Sequence, residues 1–238
     1  AAPSDPAERE RYVAWAADAA RHTRLVSPAD VLRWNTHHSY LIELEDRGAP
    51  VVPAAWLGRG DQVELAAVLA ARGWSDVELL AAVGHRGAAR VDGGADGLTL
   101  PSGQHHLEVL LAHDDALIRP WPASLARDGW WSVLVVAGEV SHAVRVLPAD
   151  EGDGPGRGGV VAEVCDPGEL DVDLRRLAAW SVEASGVDGL VLAAVELVGD
   201  AAGTPQLAAL DAVAPELHLG VRPAAAERVA AALMNAAG

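Results

Sequence analysis

Hydrophobic positions change their period repeatedly along the 238 residues, and each change marks an expected element. Spacing of three and four predicts a helix over 6–21 with Tyr12, Trp15 and Ala19 on one face. Ser27-Pro28 supplies an N-cap and a first-turn proline for a second helix, and 36–47 continues helically until Gly48 stops it. The run PVVPAAWL at 50–57 reads as a strand that Pro53 confines to a sheet edge. A helix over 61–72 closed by Gly73, a strand over 76–83, a helix over 103–112 and a short strand over 115–120 complete the first half. Arg119-Pro120-Trp121-Pro122 then forms a proline-bracketed corner, expected to be a hinge. Beyond it, 131–136 and 139–147 alternate around Ala137-Gly138 as an antiparallel hairpin. The segment 149–159 is too polar and glycine-rich to pack and is expected to be a mobile loop. Strand 160–165, helix 168–185, strands 189–198 and 206–213 and helix 223–235 follow. Without a regular βαβ alternation, the fold class is α+β with antiparallel sheets flanked by helices.

Composition narrows the partners. The formal net charge is −16, and all 18 basic residues are Arg, with no Lys in the chain and no basic run longer than Arg175-Arg176. Phosphate-backbone binding needs a clustered cationic face, so nucleic acid is excluded as a partner. Cys165 is the single cysteine and has nothing to pair with inside the chain, which points to a reducing, cytoplasmic setting and excludes a cysteine-rich zinc site. No apolar run approaches the length of a membrane span. The adjacent pairs His37-His38 and His105-His106 diverge on a helix, so neither forms a metal site alone. No P-loop run is present.

The stretch Val31-Leu-Arg-Trp-Asn-Thr-His-His-Ser-Tyr-Leu-Ile-Glu-Leu-Glu-Asp-Arg-Gly-Ala-Pro-Val-Val-Pro53 resembles the opening of the ATP-grasp region in bacterial carboxylate-amine ligases of the cycloserine-synthetase type, which carry a pattern like WN-x-x-K-x-YL-x-x-L-x-x-x-G-x-PVVPT. The similarity continues through Gly129-Trp-Trp-Ser132, Ser141-His-Ala-Val-Arg145 and Leu207 to Leu219. It implies a two-lobed ATP-grasp-like fold, with 27–118 as the small lobe and 119–238 as the carboxyl-terminal lobe. It also implies that 1–26 is a remnant or linking helix of a preceding domain, and hence a homodimer in which helix 6–21 covers the face that this domain occupies in relatives.

Several slots that the resemblance assigns to ATP chemistry are altered. The first phosphate-binding lysine is His38, and the second falls on Leu80. The hinge glutamine is Arg119, and the glutamate of the G-E-x-S segment is Trp130. The R-V-D strand reads Ala194-Val195-Glu196, and the metal-binding N-E-L-E run reads Ala208-Ala209-Leu210-Asp211. Gly84-His-Arg-Gly87 is a remnant of the glycine-rich loop. Magnesium between phosphates wants about two carboxylates in near-octahedral geometry, and the phosphates want cations. The expectation is therefore an ATP site that has been dismantled, with no cofactor and no metal.

The resemblance places Trp121, Trp130 and Trp131 in the cleft between the lobes, with Arg119 and Arg145 as anchors for an anionic or carbonyl group. Neighbouring strands set Glu196 and Asp211 on one cleft-facing surface, as acid or base, and put His142 beside the cleft, while His218 ends the strand that carries Asp211. The tryptophans equally suit the plugging of a vacated cavity in a chain that has no Phe. The leading expectation is a protein that binds a small organic molecule and converts it by acid/base chemistry in a specialised biosynthetic pathway. The alternatives are a binding or scaffold protein without turnover and a surviving ATP-dependent ligase.

Overall fold

A computed structural model describes residues 2–84, 88–94, 97–149, 154–155, 159–187 and 189–237. The Gly84–Gly87 remnant and the 149–159 loop fall largely outside them.

The fold is α+β, built on two antiparallel sheets flanked by helices. The smaller sheet has the order β1-β4-β2-β3, formed by β1 (Ala55–Leu57), β2 (Val77–Ala81), β3 (Ala89–Val91) and β4 (Ala116–Pro120). Helices α4 (Leu65–Arg72) and α5 (Leu100–His113) cover one face. The period-two pattern decides which residues they cover. Val77, Leu79 and Ala81 meet Ile118, Leu65 and Leu107 in that core, so Glu78 and Arg119 point to the other side. Thr99 caps α5 by accepting from the Ser102 amide, and Gly73 ends α4 in the left-handed conformation.

The larger sheet has the order β7-β6-β5-β8-β9, from β5 (Trp130–Val136), β6 (Glu139–Leu147), β7 (Val160–Cys165), β8 (Leu192–Gly199) and β9 (Pro205–Asp211). The expected hairpin is present as β5–β6, turned by Ala137 and Gly138, both at positive φ. Helix α7 (Val172–Ala184) packs Leu177, Ala178 and Val182 against Val133, Val195 and Leu197. Helix α8 (Ala226–Ala237) covers part of the opposite face, where Val229 meets Leu134 and Val136. Residues 130, 132 and 134 of β5 share that opposite face with 144 and 146 of β6 and 194 and 196 of β8.

Helix α1 (Pro6–Ala19) starts at an Asp5 N-cap and buries only Ala16, leaving Trp15 54% exposed beside Tyr12. Helices α2 (Ala29–Asn35) and α3 (Tyr40–Asp46) contribute Val31, Tyr40, Leu41 and Leu44 to the core of the larger sheet. The 27–118 stretch is thus shared in space between both sheets.

The run 50–57 behaves differently from a single strand. Residues 50–52 lie along β9, where Val52 N donates to Leu207 O at 3.0 Å and Leu207 N to Pro50 O at 2.8 Å. Residues 55–57 instead pair with β4. Pro53 lacks the donor a continuous ladder would need and sits between the two pairings. The helix expected over 61–72 begins only at Leu65, because the Asp61 carboxylate accepts from Gly58 N and closes a loop. The helix expected over 36–47 is broken at 36–39, where Ser39 engages His37 instead of the helical ladder.

Candidate functional site

The face of the larger sheet left open by α8 looks into a cavity of about 420 Å³, bounded on its other side by Asn35, Thr36, His38, Tyr40, Ala82 and Gly84. Its sheet wall is set by register. Glu196 of β8 lies directly across from Ser132 of β5, so their side chains meet on one face, and the Ser132 hydroxyl donates to Glu196 Oε1 at 2.7 Å. Trp130, two residues earlier on β5, shares that face. Gly129 makes the entry possible. Its φ is +67°, and a Cβ there would fall 1.9 Å from the Val146 carbonyl oxygen.

Glu196 is 7% exposed, and Oε2 makes no hydrogen bond. Burial pushes its carboxyl up to about 7; the Ser132 hydroxyl and the neighbouring Trp130 indole oppose the shift, and the Asp211 and Glu216 charges add to it. Asp211 closes β9 opposite Ala194, one step diagonally from Glu196. Its Oδ1 accepts from Val213 N and Ala214 N at 2.9 and 3.0 Å, which ends the strand and turns the chain back over the cavity.

That returning segment delivers His218 with φ +48°, in the left-handed region. Its Nε2 lies 3.3 Å from Ser132 Oγ, and Nδ1 lies 3.5 Å from Glu216 Oε1. Burial holds His218 below its ordinary pKa, and Glu216 opposes that shift. A continuous polar line therefore runs from exposed Glu216 through His218 and Ser132 to Glu196.

The upper wall explains the motif residues of the first helices. Asn35 Nδ2 donates to Leu210 O at 2.8 Å while its Oδ1 accepts from Ala212 N at 2.7 Å, so one amide side chain pairs with the β9 edge as a strand would. The Tyr40 hydroxyl accepts from Leu210 N at 2.9 Å, and its complete burial raises its pKa. His38 lines the cavity, with Nδ1 3.1 Å from the Ala81 carbonyl.

Of the residues singled out from sequence, the structure brings Trp130, Glu196 and Asp211 together at the cavity wall. The placement of the other five is corrected. Arg119 is 6% exposed in the seam between the sheets, where Nε donates to Glu78 Oε2 at 2.7 Å and Nη1 to Ala208 O at 2.8 Å, so its charge is already engaged. Trp131 faces the α7 side, because neighbouring strand residues point to opposite faces. Arg145 faces Trp131 across the hairpin and pairs with Glu163 at 3.0 Å. Trp121 stacks under the Arg90 guanidinium, 5.3 Å from its ring centre, outside the cavity. His142 is 1% exposed beyond the cavity, near α8; burial lowers its pKa, and the Leu217 backbone opposes the shift.

The sequence reading did not select Ser132, Glu216, Asn35 or Tyr40 as site residues, and it placed His218 only at the end of the strand that carries Asp211. Alternation across β5 and β8 contained the signal for Ser132. Glu216 comes from irregular chain after β9, where no local pattern points at it.

The donor set does not fit a magnesium–nucleotide complex. Glu196 Oε1 and Asp211 Oδ1 already accept hydrogen bonds, and no cluster of three potential metal ligands occurs among the described residues. No Lys exists in the chain, and no Arg lines the described walls.

No known family profile matches the chain. It is 28% identical over 240 residues to the cycloserine biosynthesis protein DcsG of Streptomyces lavendulae, across 95% of this chain and 78% of that protein. The crystal structure of the D-cycloserine synthetase DcsG superposes with a TM-score of 0.80 at 26% identity, covering 97% of this chain and 80% of that one. The D-alanine–D-alanine ligase of Bacillus anthracis, solved in complex with ATP, shares the fold at a TM-score of 0.66 and 11% identity, over 89% of this chain and 67% of that one.

Proposed function

The chain has the ATP-grasp fold and is similar to a cycloserine synthetase of secondary metabolism, and from that premise we propose that it works without ATP, binding a small organic molecule in the cavity and converting it by general acid/base chemistry. The observation that carries this reading is Glu196, a carboxyl buried in the wall of a 420 Å³ cavity whose described walls hold neither Lys nor Arg, where burial pushes it up to about 7. The volume lies in the range of small-molecule sites, and a group poised near neutrality is present in both its acid and base forms.

The geometry assigns the proton. Because the Ser132 hydroxyl donates to Oε1, the proton of the neutral acid resides on Oε2, the oxygen without a hydrogen bond. In the resting chain Oε2 is covered, and a turn about the last side-chain torsion, which is broad in Glu, brings it to a ligand atom. Protonation of a ligand heteroatom by Oε2 leaves a carboxylate that accepts a proton later in the cycle. The line of Ser132, His218 and Glu216 supplies the return path. His218 takes a proton from solvent at Nδ1 beside exposed Glu216 and passes its Nε2 proton to Ser132 Oγ as the Ser132 proton moves to Oε1, which leaves a neutral imidazole, and a turn of the carboxyl brings the new acid proton back to the ligand side.

The second reading, an ATP-dependent ligase, is favoured by one observation. Glu196 and Asp211 still occupy neighbouring strands at the cavity, at the positions the resemblance aligns with the R-V-D strand and the metal-binding N-E-L-E run. Calorimetry with ATP and magnesium separates the two. The ATP-independent reading expects no binding in the micromolar range, and micromolar binding overturns it. A homodimer through the exposed Tyr12–Trp15 face of α1 belongs to the same proposal, tested by mass from light scattering before and after Trp15→Glu.

A further inference from the structure

We infer that the ligand of this cavity is a small organic cation, an amine on an apolar body, with Glu196 as its buried counter-ion; the inference rests on the proposed function and names its ligand class. Glu196, Asp211 and Glu216 all contribute to the wall, and no described wall residue is Lys or Arg. An acidic cluster alone says little, since surface carboxylates are ordinarily content in water. Glu196 is different: it is 93% withdrawn from solvent, and Oε2 has no hydrogen-bond partner. A buried carboxylate oxygen without a donor is costly, and a ligand that brings a charged donor relieves that cost.

An anion would meet three carboxylates and gain no described arginine in return. A bare divalent ion would lack its ligands, since no cluster of three suitable side chains exists among the described residues. The remaining wall also favours an organic body, because Trp130, Val146, Val161 and Leu210 give it apolar surface.

The charge balance makes a distinctive signature. The groups facing Glu196 are Asp211 from β9, Glu216 and His218 from the returning segment, Ser132 and Trp130 from β5, and His38 and Tyr40 from the upper wall. Burial pushes the Glu196 carboxyl up to about 7, so near that pH both of its forms are populated. A bound ammonium favours its ionised form, so binding at that pH releases a proton. A neutral ligand releases none, and an anion takes protons up.

Three probes of one shape test this: cyclohexylmethylamine, cyclohexylmethanol and cyclohexanecarboxylate, titrated calorimetrically at pH 7 in two buffers of different ionisation heat. The expected result is amine binding at least tenfold tighter than either partner probe, with net proton release, and loss of both preference and release in Glu196→Gln. A melting scan of that variant verifies that it is folded. Alcohol or carboxylate binding as tightly as the amine overturns the inference, as does amine binding without proton release or no amine binding at tens of millimolar. Selective amine binding with no amine ever converted leaves the inference standing and removes the acid/base reading. Glu196-dependent conversion of a neutral or anionic compound does the reverse.

Discussion

Arg119 of β4 and Glu78 of β2 lie opposite one another and pair at 2.7 Å, both nearly fully buried, and the same guanidinium reaches across to the Ala208 carbonyl of β9. A residue in a hinge motif thereby holds the two sheets together. Removing one partner strands a buried charge, so Arg119→Met or Glu78→Leu alone is expected to destabilise by about 3–5 kcal/mol. The double replacement leaves no charge behind and is expected to cost much less. Urea unfolding of the three variants checks this, and strictly additive losses would contradict the pairing.

The edge of β9 is held by side chains as well as by backbone. Asn35→Ala deprives both Leu210 O and Ala212 N of partners and is expected to cost about 2–5 kcal/mol, while Tyr40→Phe deprives only Leu210 N and costs about 1–3 kcal/mol. Hydrogen exchange at the Ala212 amide is expected to accelerate in the first variant and the Leu210 amide in the second. Unchanged protection at both would remove this account of the Trp34-Asn35 and Tyr40-Leu41 pairs.

Gly129→Ala is expected to destabilise by more than about 3 kcal/mol, since the added Cβ meets the Val146 carbonyl at a backbone angle that L residues rarely adopt. Gly138→Ala, with nothing within 4 Å of its added Cβ, isolates the backbone strain from the clash. Melting temperatures of the pair separate the two contributions.

Much of the fold was legible because its period was uncontested. The β5–β6 hairpin brackets the Ala137-Gly138 turn with runs rich in β-branched residues and forms as expected, and α5 and α7 carry apolar stripes between clear caps. Strand β3 is three residues long in a glycine-rich stretch, and α6 (Leu125–Asp128) is a single turn after the Pro120-Trp121-Pro122 corner, so neither offers a period to detect. The site was half legible for a related reason. Facing strands with known alternation place Glu196 beside β5, and the same alternation, applied to Trp130 and Trp131, puts only one of the two at the cavity. Arg119 was misplaced because its partners, Glu78 and Ala208, lie 41 and 89 residues away in sequence.

Stability is expected to bend in opposite directions with pH. The Glu196 carboxyl binds its proton more tightly in the folded chain, at about 7 against an ordinary 4.5, so between those values the folded state holds more protons. Stability therefore falls as pH rises through that window, by on the order of 3 kcal/mol, and Glu196→Gln raises Tm at pH 8 while the gain vanishes towards pH 4. His142 works on the other side. Burial lowers its pKa, the unfolded chain takes the proton first, and stability is lost as pH falls below the ordinary 6.5. His142→Leu is expected to flatten that acid limb, and unchanged slopes in both variants would show that neither group governs it.

Ser132 offers the sharpest test of the proton line, because its two contacts act on different observables. Its hydroxyl donates to Glu196 at 2.7 Å and so holds the carboxyl lower than burial alone would. Ser132→Ala is therefore expected to move the Glu196 titration above about 7, seen as the carboxyl carbon resonance that Glu196→Gln removes from the spectrum of glutamate-labelled protein. His218→Gln leaves the Ser132 bond intact, so that resonance is expected to titrate close to its original midpoint, because Glu196 draws its shift from burial, Ser132, Trp130 and its acidic neighbours. What His218→Gln removes is the group able to deliver a proton at Ser132 Oγ. Turnover of a converted ligand is expected to fall while its KM holds, with partial rescue by added imidazole buffer. A midpoint shift as large as that of Ser132→Ala, without a loss of turnover, would make His218 a structural neighbour of Ser132 and leave Glu196 to exchange its proton through the cavity mouth.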